Sequence, residues 1–112
     1  ALYVQDTFKV QVGGVGIQNI SSVADSYELS QNYPNPFNPN TNINFSIPNS
    51  ETVNLKVYDI LGNEIASLIN NERISRGKYH INFSGSFLSS GIYYYILRTE
   101  NFTDTKKMIL IK

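Results

Sequence analysis

The stretch Thr41-Asn42-Ile43-Asn44-Phe45-Ser46-Ile47-Pro48 decides the class of fold. Successive side chains of an extended chain point to opposite sides, so Ile43, Phe45 and Ile47 fall on one face and Asn42, Asn44 and Ser46 on the other. Pro48 has no N–H to contribute to a ladder and stops the strand. The same alternation recurs at Val53, Leu55 and Val57 against Asn54, Lys56 and Tyr58, and at Tyr79, Ile81 and Phe83 against Lys78, His80 and Asn82. Strands with one apolar and one polar face are half-buried and antiparallel. These three apolar triplets are the predicted core.

Upstream of the deciding stretch lies Tyr33-Pro34-Asn35-Pro36-Phe37-Asn38-Pro39. Each proline fixes its own φ and biases the preceding residue to extended geometry, which forbids helix. Phe37 is expected to plug the segment into the core. Downstream, Asp59-Ile60-Leu61-Gly62 reads as a turn, because Asp59 can accept backbone N–H groups and Gly62 can take positive φ. A short strand from Glu64 to about Ile69 should follow. Arg76-Gly77 turns the chain into the Tyr79 strand, and a loop through Gly85 and Ser89-Ser90-Gly91 leads to Ile92-Tyr93-Tyr94-Tyr95-Ile96-Leu97. That run is apolar or aromatic on both faces, as expected of a central strand covered on both sides. Glu100-Asn101 reverses the chain into a final strand from Thr105 to Ile111. Met108 and Leu110 are expected inward, and the lysines around the strand resemble edge protection.

From Leu29 onward this makes about seven short strands, with turn signals roughly every 8–12 residues. The expected fold is all-β, an immunoglobulin-like antiparallel sandwich, with a small closed barrel as the competing architecture. Before Tyr27 the texture differs. Phe8, Val10 and Val12 alternate as a strand, and Gly13-Gly14-Val15-Gly16 opens a polar stretch that reads as linker through Ser26. The early strand fits either the tail of a preceding domain or an extra strand of the sandwich. The predicted organisation is an upstream end and linker over 1–26 and one domain over 27–112.

The chain of 112 residues carries nine Lys or Arg and nine Asp or Glu, a balance that lacks the basic excess of a nucleic-acid binder. It has no cysteine, which removes disulfides, thiol nucleophiles and Cys-ligated zinc. No apolar run approaches the roughly 20 residues of a membrane span.

Catalytic chemistry finds no constellation. His80 is the single histidine, placed outward on a strand, and one histidine without cysteines or a second histidine cannot build a zinc site. Asp59 belongs to a turn and Asp104 to a hairpin, so no acid and base are paired. The serines flanking Gly85 and Gly91 lack the strand–turn–helix elbow of a hydrolase, and Gly13–Gly16 lacks the lysine and helix of a phosphate loop. No cofactor is expected. Tyr93, Tyr94 and Tyr95 are expected to divide between core and cross-strand packing rather than to form a sugar-stacking platform. Asn19, Asn44, Asn82 and Asn101 each begin an Asn-X-Ser/Thr sequon, which carries no weight in so asparagine-rich a chain.

Three stretches together resemble one family: Tyr33 to Pro39 running into Thr41–Pro48, then Val57-Tyr58-Asp59-Ile60-Leu61-Gly62, then Leu88 to Tyr95 with a terminal Thr105–Lys112. In this order and spacing they are similar to the type A C-terminal sorting domain of the type IX secretion system, over roughly Tyr27 to Lys112. The resemblance implies a non-catalytic signal on an exported protein, with a cargo upstream that crosses the inner membrane by a separate signal. It implies passage through the periplasm, recognition by an outer-membrane translocon, and cleavage by a sortase-like cysteine protease in the linker before Tyr27. The cargo would then lie at the cell surface or outside. An immunoglobulin-like carbohydrate-binding or adhesion module is the alternative reading. The final strand is expected to offer a free edge to the translocon, with Thr105, Lys106, Lys107 and Lys112 as the predicted recognition residues.

Overall fold

Ile43, Phe45 and Ile47 lie side by side with Ile81, Tyr79 and Gly77 across an antiparallel ladder, and this pairing is the spine of the first of two sheets. The computed structural model describes residues 17–112, so the predicted strand at Phe8–Val12 and the Gly13–Gly16 stretch lie outside the described residues. In chain order the strands are β1 (Ile17–Ser21), β2 (Glu28–Leu29), β3 (Asn40–Ile47), β4 (Glu51–Tyr58), β5 (Glu64–Ile74), β6 (Gly77–Ser84), β7 (Gly91–Arg98) and β8 (Thr103–Leu110). They form two four-stranded sheets, ordered β1-β6-β3-β2 and β5-β4-β7-β8. The chain crosses between sheets after β3, β5 and β6 and makes hairpins at β4–β5 and β7–β8. That is the connectivity of an immunoglobulin-type sandwich, with β2, β3 and β6 as A, B and E, and β4, β7 and β8 as C, F and G. Tyr93, at the start of β7, donates its hydroxyl back to the Ser89 carbonyl at 2.7 Å, the tyrosine corner of such sandwiches.

All three predicted core triplets are buried, the most accessible member being Tyr79 at 7%. Met108 and Leu110 are buried and Ile111 is exposed, so the last strand has the expected phase. Phe45 stacks on Tyr79 with ring centroids 5.3 Å apart. The Tyr95 hydroxyl crosses between the sheets to the Ser30 carbonyl at 2.5 Å. Its burial pushes the phenol pKa up to about 12, with the Asp104 carboxylate adding to the effect.

The proline segment closes one open side of the sandwich. It starts on the first sheet, where Ser30 N–H reaches the Asn44 carbonyl and Tyr33 exchanges both backbone bonds with Asn42. It ends on the second, where Phe37 N–H donates to the Ile109 carbonyl and Ile111 N–H to the Phe37 carbonyl, each at 2.9 Å. The Phe37 ring, 1% exposed, meets Phe83 edge-on at 6.2 Å. The plug is real.

Three local expectations need correction. β5 runs to Ile74 instead of stopping near Ile69, because Asn71 takes a left-handed φ of 53° and its N–H is held by the Asn54 side chain at 2.8 Å. The ladder thus continues past the last buried residue, where no apolar alternation marks it. β7 is central within its sheet, yet only Tyr93, Tyr95 and Leu97 are buried; among the described residues no third layer covers Ile92, Tyr94 and Ile96. Those residues are shielded only by cross-strand neighbours such as Ile109 and Tyr58. Finally, Ile17–Ser21, read as linker, is a strand paired to β6. Its middle residues are all exposed, so backbone pairing holds it and no apolar pattern announces it.

Deleting the Phe37 ring leaves a cavity between the sheets. Phe37→Ala should cost about 3 kcal/mol in denaturant unfolding, and a loss under about half a kcal/mol would show that the ring adds no core packing.

Candidate functional site

The four residues expected to form a recognition site do not come together. Thr105 and Lys107 are exposed on the outer face of β8. Lys106 points the other way, in the same phase as buried Met108, and lies 3.9 Å from the Asp104 carboxylate. Lys112 sits at the end of the molecule, where its ammonium donates to the carbonyls of Ser86 and Leu88 at 2.8 Å and its N–H to Ser90 Oγ at 2.9 Å. Of these three lysines, Lys107 is the free outward charge; Lys106 and Lys112 are tied to their own fold.

β8 is an edge strand, as its lysines suggested. Half of its outer edge is nevertheless already occupied. The Lys107 carbonyl accepts from the Gln31 side chain at 2.6 Å, the Ile109 N–H donates to Asn35 Oδ1 at 2.9 Å, and Phe37 takes the Ile109 carbonyl and the Ile111 N–H. Toward Thr103 no described residue pairs with the edge, and the Thr105 N–H turns to Asp104 Oδ1 at 2.9 Å. The expected strand-addition edge is therefore short.

A more extensive surface lies at one end of the sandwich. The registers bring Asn40 opposite Ser84, Gly91 opposite Leu110 and Tyr58 opposite Tyr94. The β4–β5 turn, the β6–β7 loop, the chain after Leu110 and the end of the proline segment thus share one pole. Large apolar side chains stand out there: Ile60 is 68% exposed, Leu61 81%, Phe87 61% and Ile111 53%. Their backbones are fixed. Asp59 Oδ1 accepts the N–H groups of Leu61 and Asn63 at 2.9 Å, and Gly62 at φ 87° closes the turn with its N–H on the Asp59 carbonyl at 3.0 Å. Leu88 N–H returns to the Gly85 carbonyl, and Gly85 N–H is held by Pro39 at 2.7 Å. Phe87 rests edge-on against Phe83 at 6.4 Å.

Apolar side chains held in water on an ordered frame do nothing for the monomer's stability, and their gathering at one pole makes that pole a candidate docking surface. By sequence Ile60 and Leu61 belong to a turn, and their exposure is not part of that expectation. The signal was available, because two large apolar residues inside an Asp-X-X-Gly turn have no core to reach.

Small-molecule chemistry finds little footing. His80 Nδ1 is 2.8 Å from the Asn44 side-chain oxygen, and no three metal-ligating side chains cluster among the described residues. A shallow depression on the outer face of the second sheet, lined by Asn54, Lys56, Tyr58, Ile96 and Arg98, measures about 130 Å³, against the roughly 300–1,000 Å³ of ligand clefts. Lys56 in its wall is paired with Glu64 at 3.4 Å.

Among known families, the model of the secretion system C-terminal sorting domain matches residues 31–112. No curated protein matches the chain. The matched span contains every segment that builds the apolar pole.

The Asn63 N–H above all holds the Asp59 carboxyl below its ordinary 3.8; desolvation opposes it next in size, and the Asn63 side chain and the Leu61 and Gly62 amides add to the lowering. A depressed carboxylate stabilises the folded turn above its unfolded pKa, and that contribution is lost as pH falls through the lower folded value. In an NMR titration the Asp59 carboxyl carbon should show a midpoint below 3.8, with the Leu61 and Asn63 amide shifts following it. A midpoint at or above that value would mean the turn is not held by this side chain.

Proposed function

The chain belongs to the family of secretion system C-terminal sorting domains and is a sorting signal for type IX secretion, and we propose that an outer-membrane translocon reads it at the apolar pole. A protein carrying this signal is exported through the secretion system to the cell surface or beyond. On the proposed route the cargo crosses the inner membrane separately, and the folded domain meets the translocon from the periplasm. A sortase-like cysteine protease then separates cargo from signal. The domain itself performs no catalysis.

One observation carries the proposal: Ile60, Leu61, Phe87 and Ile111 are exposed together on backbone that the fold pins in place. A preordered surface loses little conformational entropy on docking, so its burial goes largely into affinity. The charges nearby are mostly engaged, Asp59 by its own turn and Lys112 by loop carbonyls, so the complementary surface should be apolar and neutral. Thr105 and Lys107, on the outer face of β8, supply a secondary contact that can tune orientation. A glycan-binding reading gains no support from the tyrosine run, since Tyr93 and Tyr95 are buried and Tyr94 is half-covered opposite Tyr58.

The test is export of a fluorescent cargo fused ahead of the chain in a bacterium with a type IX system. Ile60→Ser, Leu61→Ser and Phe87→Ser together should leave the cargo in the periplasm. The purified variant should still unfold cooperatively, because changes at such exposed positions usually cost within about 0.5 kcal/mol each. Lys107→Glu should give a partial defect. Normal export of the triple variant would rule out the pole as the recognised surface.

A further inference from the structure

The segment from Ile17 to Tyr27 precedes the family match, which begins at residue 31, yet it is fastened to the sandwich along its whole length. β1 pairs with β6 in the register Ile17↔Ile81, Gln18↔His80, Asn19↔Tyr79 and Ser21↔Lys78. The Asn19 side chain donates to the Ser21 carbonyl at 3.1 Å, and Ser21 Oγ accepts the Val23 N–H at 3.0 Å. The strand lies so close to Gly77 that a Cβ there would stand 2.6 Å from the Ser21 carbonyl oxygen and 2.7 Å from Asn19 Nδ2. Only glycine admits this approach.

Beyond β1 the fastening continues through one arginine. Ala24 is buried, 2% exposed, and its carbonyl accepts Arg76 Nε at 2.8 Å. Arg76 Nη2 also lies 3.2 Å from the Asp25 carboxylate, an exposed pair that contributes little by itself. The Ser26 carbonyl accepts from Ser46 Oγ at 2.9 Å. Tyr27 stacks on Phe102 with centroids 4.9 Å apart and planes 4° from parallel, and it donates its hydroxyl to buried Glu51.

A protease binds extended, unpaired chain on both sides of the bond it cuts, so folded segments are cleaved only from their open state. We propose that Ile17–Ser26 is an integral part of the folded signal, and that the cut separating it from the cargo falls N-terminal to Ile17. The Arg76 clasp on Ala24 is the device that keeps Ser22–Ser26 out of a protease's cleft. In that cut the C–N bond of a peptide upstream of Ile17 breaks and the new amine stays on the signal. The acyl carbon passes to the protease's nucleophile and then to water. Within the linker before Tyr27 this narrows the cut to the part upstream of Ile17, and it rests on the proteolytic release proposed above.

Limited digestion of the full 112-residue chain under native conditions with thermolysin, a protease of broad specificity, tests the boundary without any secretion machinery. Mass spectrometry should find a persistent fragment beginning at or before Ile17. Arg76→Ala should speed cutting within Ser22–Tyr27 on the order of tenfold, the effect of losing one charge-assisted hydrogen bond. Asp25→Ala, which leaves the Ala24 bond in place, should change the rate little. If Arg76→Ala also lowers the melting temperature, Ser46→Ala supplies a second release of the same segment and should speed the same cuts. Rapid cutting of the wild-type chain between Ser22 and Tyr27 would overturn the proposal. In secreting cells the N-terminus of the released signal should likewise lie at or before Ile17; a start between Ser22 and Tyr27 with cargo still exported would overturn the boundary and spare the sorting function. Failure of export would count against the sorting mechanism, while the digestion would still judge the boundary.

Discussion

The seating of Phe37 between the sheets is the contact on which the rest depends. β2 is only two residues long, so the sandwich would be open along the side where the two edge strands, β2 and β8, face one another. The proline segment spans that gap with its ring in the core and its backbone added to β8 in a short parallel bridge. Burying such a ring is worth about 2–3 kcal/mol from area alone, and the backbone bonds set its direction. Pro39, two residues on, then fixes Gly85, from which the Phe87 loop starts. On β8 the same bridge sets the phase that buries Leu110 and turns Ile111 outward. The apolar pole is thus a consequence of the clamp.

The clamp also addresses a hazard. An edge strand with unpaired backbone groups is a template for aggregation, and folds blunt such edges with prolines, charges or covering loops. Here the C-terminal half of β8 is covered by Gln31, Asn35 and Phe37 from Lys107 onward, while the inward-leaning Lys106 stands in the other half. A signal that must remain soluble until it is read is served by this arrangement. On the proposed reading, the surface offered to the translocon is side-chain surface at the pole more than backbone at the edge.

What the sequence made legible was whatever depends on alternation. Ile43 to Ile47, Val53 to Val57 and Tyr79 to Phe83 each bury one face, because a one-residue slip would turn every side chain to water. Phe37 was legible from its prolines. Features held by individual polar contacts were not. β1 has no buried side chain in its centre, and the last turns of β5 depend on one asparagine in a left-handed conformation. The roles of Lys106 and Lys112 depend on where β8 ends relative to Asp104 and to the loop carbonyls, which charge patterning alone cannot reveal. The incomplete burial of Ile92, Tyr94 and Ile96 reflects the lack of a third layer among the described residues, a property of the assembled sandwich and not of any strand.

The two ends of the domain divide the work. The pole with Ile60, Leu61, Phe87 and Ile111 lies at one end of the sandwich, while the opposite end holds Ala24 and Tyr27 against Arg76, Phe102 and Glu51. A signal built this way can present one end to a receptor while the other end fastens the segment that leads into β2. Site-specific photo-crosslinking in secreting cells tests this arrangement most directly, with a photoreactive residue placed at Leu61 in one strain and at Asn101, on the opposite hairpin, in another. The account predicts crosslinks from position 61 to an outer-membrane component of the secretion system and none from position 101. Crosslinking from position 101 alone would contradict it.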